Sequence, residues 1–509
     1  MESRNQIRNG AFISYLAIII NIVATLLYTP WMVQKIGKSD YGLYTLAISL
    51  ISIFLMDFGI GSVVTRFVAK YKVDNDTKSI NNLLGIVFKL FIIIDFVILL
   101  ILAATYFSLE YIYVGLKPQE MSQFKILFLI IAGFSVISFP FSILNGIFSA
   151  YEYFVQLKLC ELLQKVVSIL LVVALLLFGY GVISIVAVNA FVPLIVITIK
   201  LVLLKRNTPI QVDFTSNDKT MRKEMFDFSI WITIIGIAQR LTYNIAPSIL
   251  GVTSTSGEIA LYAPASAIAG YFYIIAAAID GLFLPTVFRK LSEKKEQDIR
   301  TLMIKIGKFQ LFVLGWVFVG FVSVGKEFMT LWMGKEYLNA YYCTVILVIP
   351  TLFEYSQQIA RTTILAKNKV KLQSIGLICT SILNIGIAAL LSYYFGAIGV
   401  CSAICITAVI NLIYMNVIYY KVLHFGMIHF YKSCYIRMLL PIGVSLMLSL
   451  TVLEFIEQQG WLWLILKGMI VSIVFGVIVF FFGTGKEERN KLIVAIKKRG
   501  EKKDVNGGL

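Results

Sequence analysis

Apolar runs of about twenty residues, each long enough to cross a bilayer at ~1.5 Å per residue, follow one another along nearly the whole chain. Fourteen are read, with limits 12–33, 42–68, 83–107, 124–148, 158–178, 181–204, 226–250, 258–286, 302–325, 339–364, 371–395, 397–420, 433–455 and 460–482. Inside such a run water cannot satisfy the backbone, so each amide must bond within its own segment, which selects helices. Residues are 59% hydrophobic and 14% charged, where a soluble domain carries roughly a quarter charged residues. The expected class is an all-α integral membrane protein.

The connections alternate in charge. Arg66, Lys70, Lys72 and Lys78, then Lys205, Arg206, Lys219, Arg222 and Lys223, then Arg289, Lys290, Lys294, Lys295 and Arg300, then Arg361, Lys367, Lys369 and Lys371, then Lys421, Lys432 and Arg437 fall in one set. The other set, including 253–258, 395–399 and 454–460, is poor in Lys and Arg. Basic connections stay in the cytoplasm. Both termini are therefore expected on the cytoplasmic side of the membrane, which suits the lysine-rich tail 486–509. The formal charge of +17 follows from the same rule, so membrane lipids are expected as partners and nucleic acid is not. Six cysteines without a C-x-x-C pair and only two histidines, His424 and His429, give no metal site. Arg4 and Arg8 precede 12–33 without a small-residue cleavage site after it, unlike a cleaved signal peptide.

The chain repeats itself. Pro30 and Pro247 are 217 residues apart, Tyr44 and Tyr262 218, Glu110 and Glu327 217, Ala150 and Ala366 216, and Gly179 and Gly396 217. Six spans fit in one offset. An even number makes the repeats parallel, with a pseudo-two-fold axis along the membrane normal. The expected organisation is a six-helix lobe over 1–204, a cytosolic linker over 205–224, a second lobe over 225–421, two additional helices over 422–485 and the basic tail.

Charges within apolar spans cost several kcal/mol unless they face protein or water, so they mark candidate sites. Arg240, flanked by Gln239 and followed by Asn244, lies about 10 Å below Pro247 along a helix. Two readings stay open for it: an anion site, or an arginine paired with a buried carboxylate. Asp95 and Glu354 lie mid-span and suit coupling to protons or sodium, or neutralisation of arginines. Glu354 and Arg361 are seven apart and Glu161 and Lys165 four apart, spacings that pair on one helix face. Lys89, like Lys305 and Lys308, either snorkels or lines a cleft. Arg66 and Asp57 share the span 42–68, nine residues apart and so on opposite faces of a straight helix. Asp280 and Arg289 echo that spacing.

Three motifs carry a family resemblance: GKSDYGLY (37–44) followed by DFGIGSVVTRFVAKY (57–71), FPFSILNGIFSAYEYF (139–154), and LWMGKEY (331–337). In this order and spacing the chain resembles the polysaccharide flippases of the multidrug/oligosaccharidyl-lipid/polysaccharide exporter superfamily, with the O-antigen and capsule repeat-unit translocases nearest. The resemblance implies a polyprenyl-pyrophosphate-linked oligosaccharide as substrate, moved by alternating access, with polymerase and glycosyltransferases as partners. Its anionic head needs cations, and Arg240, Arg66, Lys89 and Arg289, with Gln239 and Asn244, are the candidates. Asp95, Glu354, Asp57 and Asp280 are the ion-coupling candidates. No P-loop, dinucleotide fingerprint, H-E-x-x-H or nucleophile elbow is present, so no cofactor is expected and energy comes from an ion gradient, membrane potential or product consumption. The rivals are a superfamily transporter with another cargo (the peptidoglycan lipid precursor or cationic drugs) and a membrane polymerase or glycosyltransferase. Short external connections disfavour the enzyme.

Overall fold

The computed structural model describes residues 20–54, 59–215, 219–280, 283–293, 295–367 and 369–483. Asp57, the side chain of Asp280, Lys294 and the tail 486–509 lie outside the described residues. Every regular element among those described is a helix. In chain order they are α1 (20–36), α2 (Lys38–Phe54), α3 (Ile60–Val73), α4 (Thr77–Ile112), α5 (Pro118–Ser138), α6 (Leu144–Ala150), α7 (Phe154–Leu177), α8 (Val182–Asn207), α9 (Lys219–Gln239), α10 (Ala246–Thr253), α11 (Ser256–Asp280), α12 (Leu284–Ser292), α13 (Glu296–Met333), α14 (Leu338–Ser356), α15 (Gln358–Ala366), α16 (Val370–Leu423), α17 (Met427–Phe430), α18 (Arg437–Glu454) and α19 (Trp461–Ile478). Ten helical stretches are long and apolar enough to span a membrane among the described residues, fewer than the fourteen runs in the sequence. One of the ten, α16, is two spans joined at Gly396, whose φ of 54° and ψ of −133° break the helix.

Three runs are not among the ten: 12–33 and 42–68 include residues outside those described, and 226–250 is not a single α-helix. The run 42–68 is not one straight helix: a new helix starts after Gly59, which adopts φ 69°. Only glycine takes that conformation at little cost, so the opposite-face argument for Asp57 and Arg66 does not apply. The run 124–148 passes through a 3₁₀ turn, Phe139–Ile143, that holds Pro140. At the equivalent place 217 residues on, Gln357 separates α14 from α15. The run 226–250 passes through a π-turn, Arg240–Asn244.

The described helices pack as two compact units, Met1–Ala263 with Ser374–Thr407 and Pro264–Gln373 with Ala408–Leu509. In the first unit, α4 begins at Asp76, whose carboxylate accepts from the Ser79 amide at 3.0 Å and hydroxyl at 2.6 Å. Those two bonds, the hydroxyl first, hold the carboxyl below the usual carboxylate range. The linker after α8 docks on the start of α4: the Gln211 amide donates to Asn81 Oδ1 at 2.9 Å, and Phe214 meets Phe88 edge to face at 5.8 Å. Gly85 lies directly beneath the Asp213 carbonyl, where a Cβ has no room.

The second unit is closed by its non-repeated helices. Its core gathers Leu311, Leu314, Tyr355, Ile359, Tyr419, Phe430, Tyr435 and Phe475. Where α14 breaks, the Tyr435 hydroxyl donates to the Phe353 carbonyl at 3.1 Å and takes a bond from Gln357 at 2.9 Å. A broken helix is tolerated at membrane depth when protein groups satisfy the freed backbone, and here a residue beyond the repeat does so. Repeat-equivalent Glu110 and Glu327 both find lysines. Glu110 pairs with Lys125 at 2.5 Å on an exposed surface. Glu327 takes Lys467 of α19 at 2.7 Å and the Gly460 amide at 3.1 Å.

Candidate functional site

One helix face in the first unit carries an unusual set of side chains for an apolar bundle. On α7, Lys158, Glu161, Lys165 and Ser168 follow at intervals of three and four, so they share a stripe. That stripe lines a cavity of about 520 Å³, together with Asn21 and Tyr28 of α1, Tyr44 of α2 and Asn189 of α8. The Asn189 amide donates to the Tyr44 hydroxyl at 3.1 Å. The volume is in the range of small-molecule sites, about 300–1,000 Å³. Amides and phenol rings offer the hydrogen bonds and flat faces that suit a hydroxyl-rich ligand.

The charges on this stripe pair differently from the sequence expectation. Glu161 is bonded to Lys158 at 2.8 Å, three residues back, and not to Lys165. Lys165 makes no hydrogen bond or ion pair to any described residue. It lies eleven residues into α7, roughly 16 Å from the helix start, about half of a ~30 Å hydrocarbon core. The fold does not call for charge here. At the 217-residue offset that aligns Gly179 with Gly396, both at positive φ, Lys158, Glu161 and Lys165 correspond to Ile375, Ile378 and Ile382. A further lysine of the first unit, Lys200 of α8, is buried and donates to Asn145 Oδ1 at 2.9 Å. Lys165 was read as half of a structural pair, because two charges at four-residue spacing leave open which neighbour wins. Lys200 carries no such signal in the sequence, since it stands at the start of the basic segment that joins the two repeats.

Arg240 lies in the π-turn after α9. Its guanidinium donates to the Ser52 carbonyl, and Asn244 donates to the Ser52 hydroxyl at 3.0 Å. Ser52 lies on α2, and its carbonyl and hydroxyl give the π-turn a backbone and a side-chain acceptor. π-turns recur at functional sites, and this one turns Arg240 toward α2. Gln239 is exposed. Arg66 is exposed on α3 and lies 5.9 Å from the Phe67 ring centre. Lys89 is within electrostatic reach of Asp213 in the linker. None of these lines the cavity, so the structure joins Arg240 and Asn244 but places Arg66 and Lys89 elsewhere in the unit. In the second unit, Arg289 is exposed in the last turn of α12, and Glu354 pairs with Arg361 at 3.1 Å, as their spacing suggested. Asp95 lies midway along α4, and its Oδ1 finds no hydrogen-bond partner among the described residues. No group of three or more metal-binding side chains occurs among the described residues.

The family model described as "Polysaccharide biosynthesis protein" matches residues 7–289. No curated protein matches the sequence. Solved structures match the fold. The lipid II flippase MurJ in an inward closed conformation is 17% identical, covers 92% of this chain and 98% of its own, and superposes with a TM-score of 0.69. An inward-facing multidrug resistance transporter of the MATE family and MOP superfamily is 12% identical, covers 79% and 94%, and gives 0.65. A MOP superfamily transporter from Pyrococcus furiosus, described as having a binding pocket of reverse polarity, is 13% identical, covers 81% and 94%, and gives 0.57. The fold is that of MOP superfamily transporters.

Proposed function

The chain belongs to the family of polysaccharide biosynthesis proteins, and from that premise we propose that it is a flippase. Its cargo is an oligosaccharide repeat unit on a polyprenyl pyrophosphate, carried from the cytosolic to the outer leaflet for a surface polysaccharide such as O-antigen or capsule. The observation that carries this reading is Lys165, a mid-depth cation facing a polar cavity without a partner among the described residues. Unpaired charge in a low-dielectric interior costs many kcal/mol, so a lysine kept there is matched to a charge that arrives. An anionic cargo supplies it, and the tyrosines and asparagines beside it suit sugar hydroxyls. Arg240, already anchored to α2, offers a planar fork that grips two phosphate oxygens. A cationic-drug exporter, the second reading, would place its cargo against Lys165, which repels it.

The two repeats move against each other to expose the cleft to alternate sides, as parallel-repeat transporters do. Asp95, with one oxygen unpartnered, is the better-placed coupling carboxylate, since Glu354 is held by Arg361. The test is surface glycan display in a flippase-deficient strain with membrane protein quantified beside it. Lys165→Ile adopts the residue that the second repeat uses, so the protein level stays unchanged and display falls. Arg240→Ala lowers display more than Arg240→Lys. Normal display by Lys165→Ile at normal protein level overturns the reading.

A further inference from the structure

We propose that Glu120 is the catch of a latch that ties the two repeats together at the outer end of the first unit. Ser39, the second residue of α2, and Ser256, the first of α11, are 217 residues apart, the repeat offset itself. Their hydroxyl oxygens are 3.2 Å from each other. Two residues related by a two-fold axis can touch one another only beside that axis, so this contact marks where it emerges. Glu120, in the first turn of α5, spans the pair: its Oε1 accepts from Ser39 at 2.5 Å and from Ser256 at 2.7 Å. Its Oε2 accepts the Lys117 amide at 3.0 Å. The equivalent of Glu120 in the second repeat is Tyr337, so the catch is single although the serines are doubled.

The backbone is fitted to the same closure. A Cβ on Gly42 would strike the Ser256 carbonyl, and one on Gly115 would strike the Ser254 carbonyl. The turn between α10 and α11 therefore rests main chain to main chain on α2 and on the α4–α5 turn. That turn also carries its own repeat with it: Thr253 and Ser392 hydroxyls are 2.7 Å apart, and Glu258 accepts the Ala397 amide at 2.8 Å. The loops 253–258 and 395–399 are those the charge pattern assigns to the outside. Cargo leaving between the repeats on that side must part Ser39 from Ser256. Hydroxyl–carboxylate bonds suit a releasable catch, because water replaces them on opening.

This inference rests on the flippase reading only for its transport arm. The probe is the full chain with Cys160, Cys343, Cys379, Cys401, Cys405 and Cys434 replaced and with Ser39→Cys and Ser256→Cys introduced. Hydroxyls at this separation bring the side chains to the reach of a disulfide, which needs Cβ atoms ~3.5–4.5 Å apart. Mild oxidation of membranes is expected to cross-link the pair, stop glycan display, and restore it on reduction. Adding Glu120→Gln, which keeps an N3 helix-capping side chain, is expected to slow cross-linking about tenfold, the scale of one lost charge-assisted bond. Adding Gly42→Ala slows it by obstructing the seat. A pair that fails to cross-link, or an oxidised pair that displays glycan at the reduced rate, overturns the latch. Cross-linking that responds to Glu120 in a chain that never displays glycan supports the latch and counts against the flippase reading instead.

Discussion

Lys467 offers a direct test of which intramembrane charges the fold itself needs. It lies on α19 with its side chain 9% exposed, bonded at 2.7 Å to Glu327, whose side chain is 16% exposed. At that distance and an effective dielectric of 20, the attraction is ~6 kcal/mol before desolvation is counted. Much of it offsets the loss of water by both ions, so the pair's net contribution is small. Removing one partner is different, because the other stays buried and uncompensated: about 3–5 kcal/mol is lost. For a domain of this size that corresponds to a fall of roughly 10 °C in Tm. Lys467→Leu should show it in a fluorescence-detected thermal melt of detergent-solubilised protein at one fixed scan rate, since membrane proteins of this size unfold irreversibly. Lys125→Leu, which breaks the exposed pair with Glu110, should shift the melt little. Lys467→Leu with Glu327→Leu should recover most of the loss, because no orphan charge remains. If Lys467→Leu melts no lower than Lys125→Leu, the argument from burial is refuted.

Gly396→Ala should destabilise more than Gly179→Ala in the same melt. Both need positive φ, worth about 1 kcal/mol, but only at Gly396 does a Cβ also meet the Glu258 carboxylate, while Gly179 has open space. Arg361→Lys keeps its charge yet loses a fork that reaches Glu354 at 3.1 Å and the Gln373 amide oxygen at 2.8 and 2.9 Å. A loss of about 1–3 kcal/mol is expected, seen as a lower melt, and an unchanged melt would show that the fork is dispensable. Asp95→Asn should blunt the dependence of glycan display on proton or sodium gradients while protein level holds, and identical gradient dependence in wild type and variant rules that coupling out.

What the sequence made legible was whatever repeats or periodicity could expose. Spans followed from apolar length, and the 217-residue offset is realised in Gly179 and Gly396, both at positive φ, and in Ser39 and Ser256, which touch. The pair of Glu354 with Arg361 followed from helix spacing. Breaks inside spans were not legible: the run around Gly59 holds no proline, the helix before Gln357 continues past Pro350 to Ser356, and a tertiary contact, that of Tyr435, satisfies the backbone freed at Gln357. Nor was the choice of partner. Lys158 and Lys165 flank Glu161 at three and four residues, and geometry alone selected Lys158. The anchor of Arg240 was invisible for the same reason: a backbone carbonyl on another helix carries no side-chain signature.

Internal repetition supplies a filter that spacing lacks. Features both repeats keep, such as the positive-φ glycines and the glutamates 110 and 327, are those that folding the same lobe twice requires. Charges found in only one repeat need another reason. Arg361 and Glu354 correspond to Leu144 and Ile137, yet they neutralise each other, so local pairing explains them without any cargo. Arg240 corresponds to Val23 and is anchored on the Ser52 carbonyl of α2. Lys165 corresponds to Ile382, an exposed apolar residue, and no described group compensates it. Asp95 corresponds to Phe312, and one of its oxygens has no partner. A cation and a carboxylate thus remain that neither the repeat nor a neighbouring side chain accounts for. A transporter that binds an anion and couples its passage to a cation needs one residue of each kind.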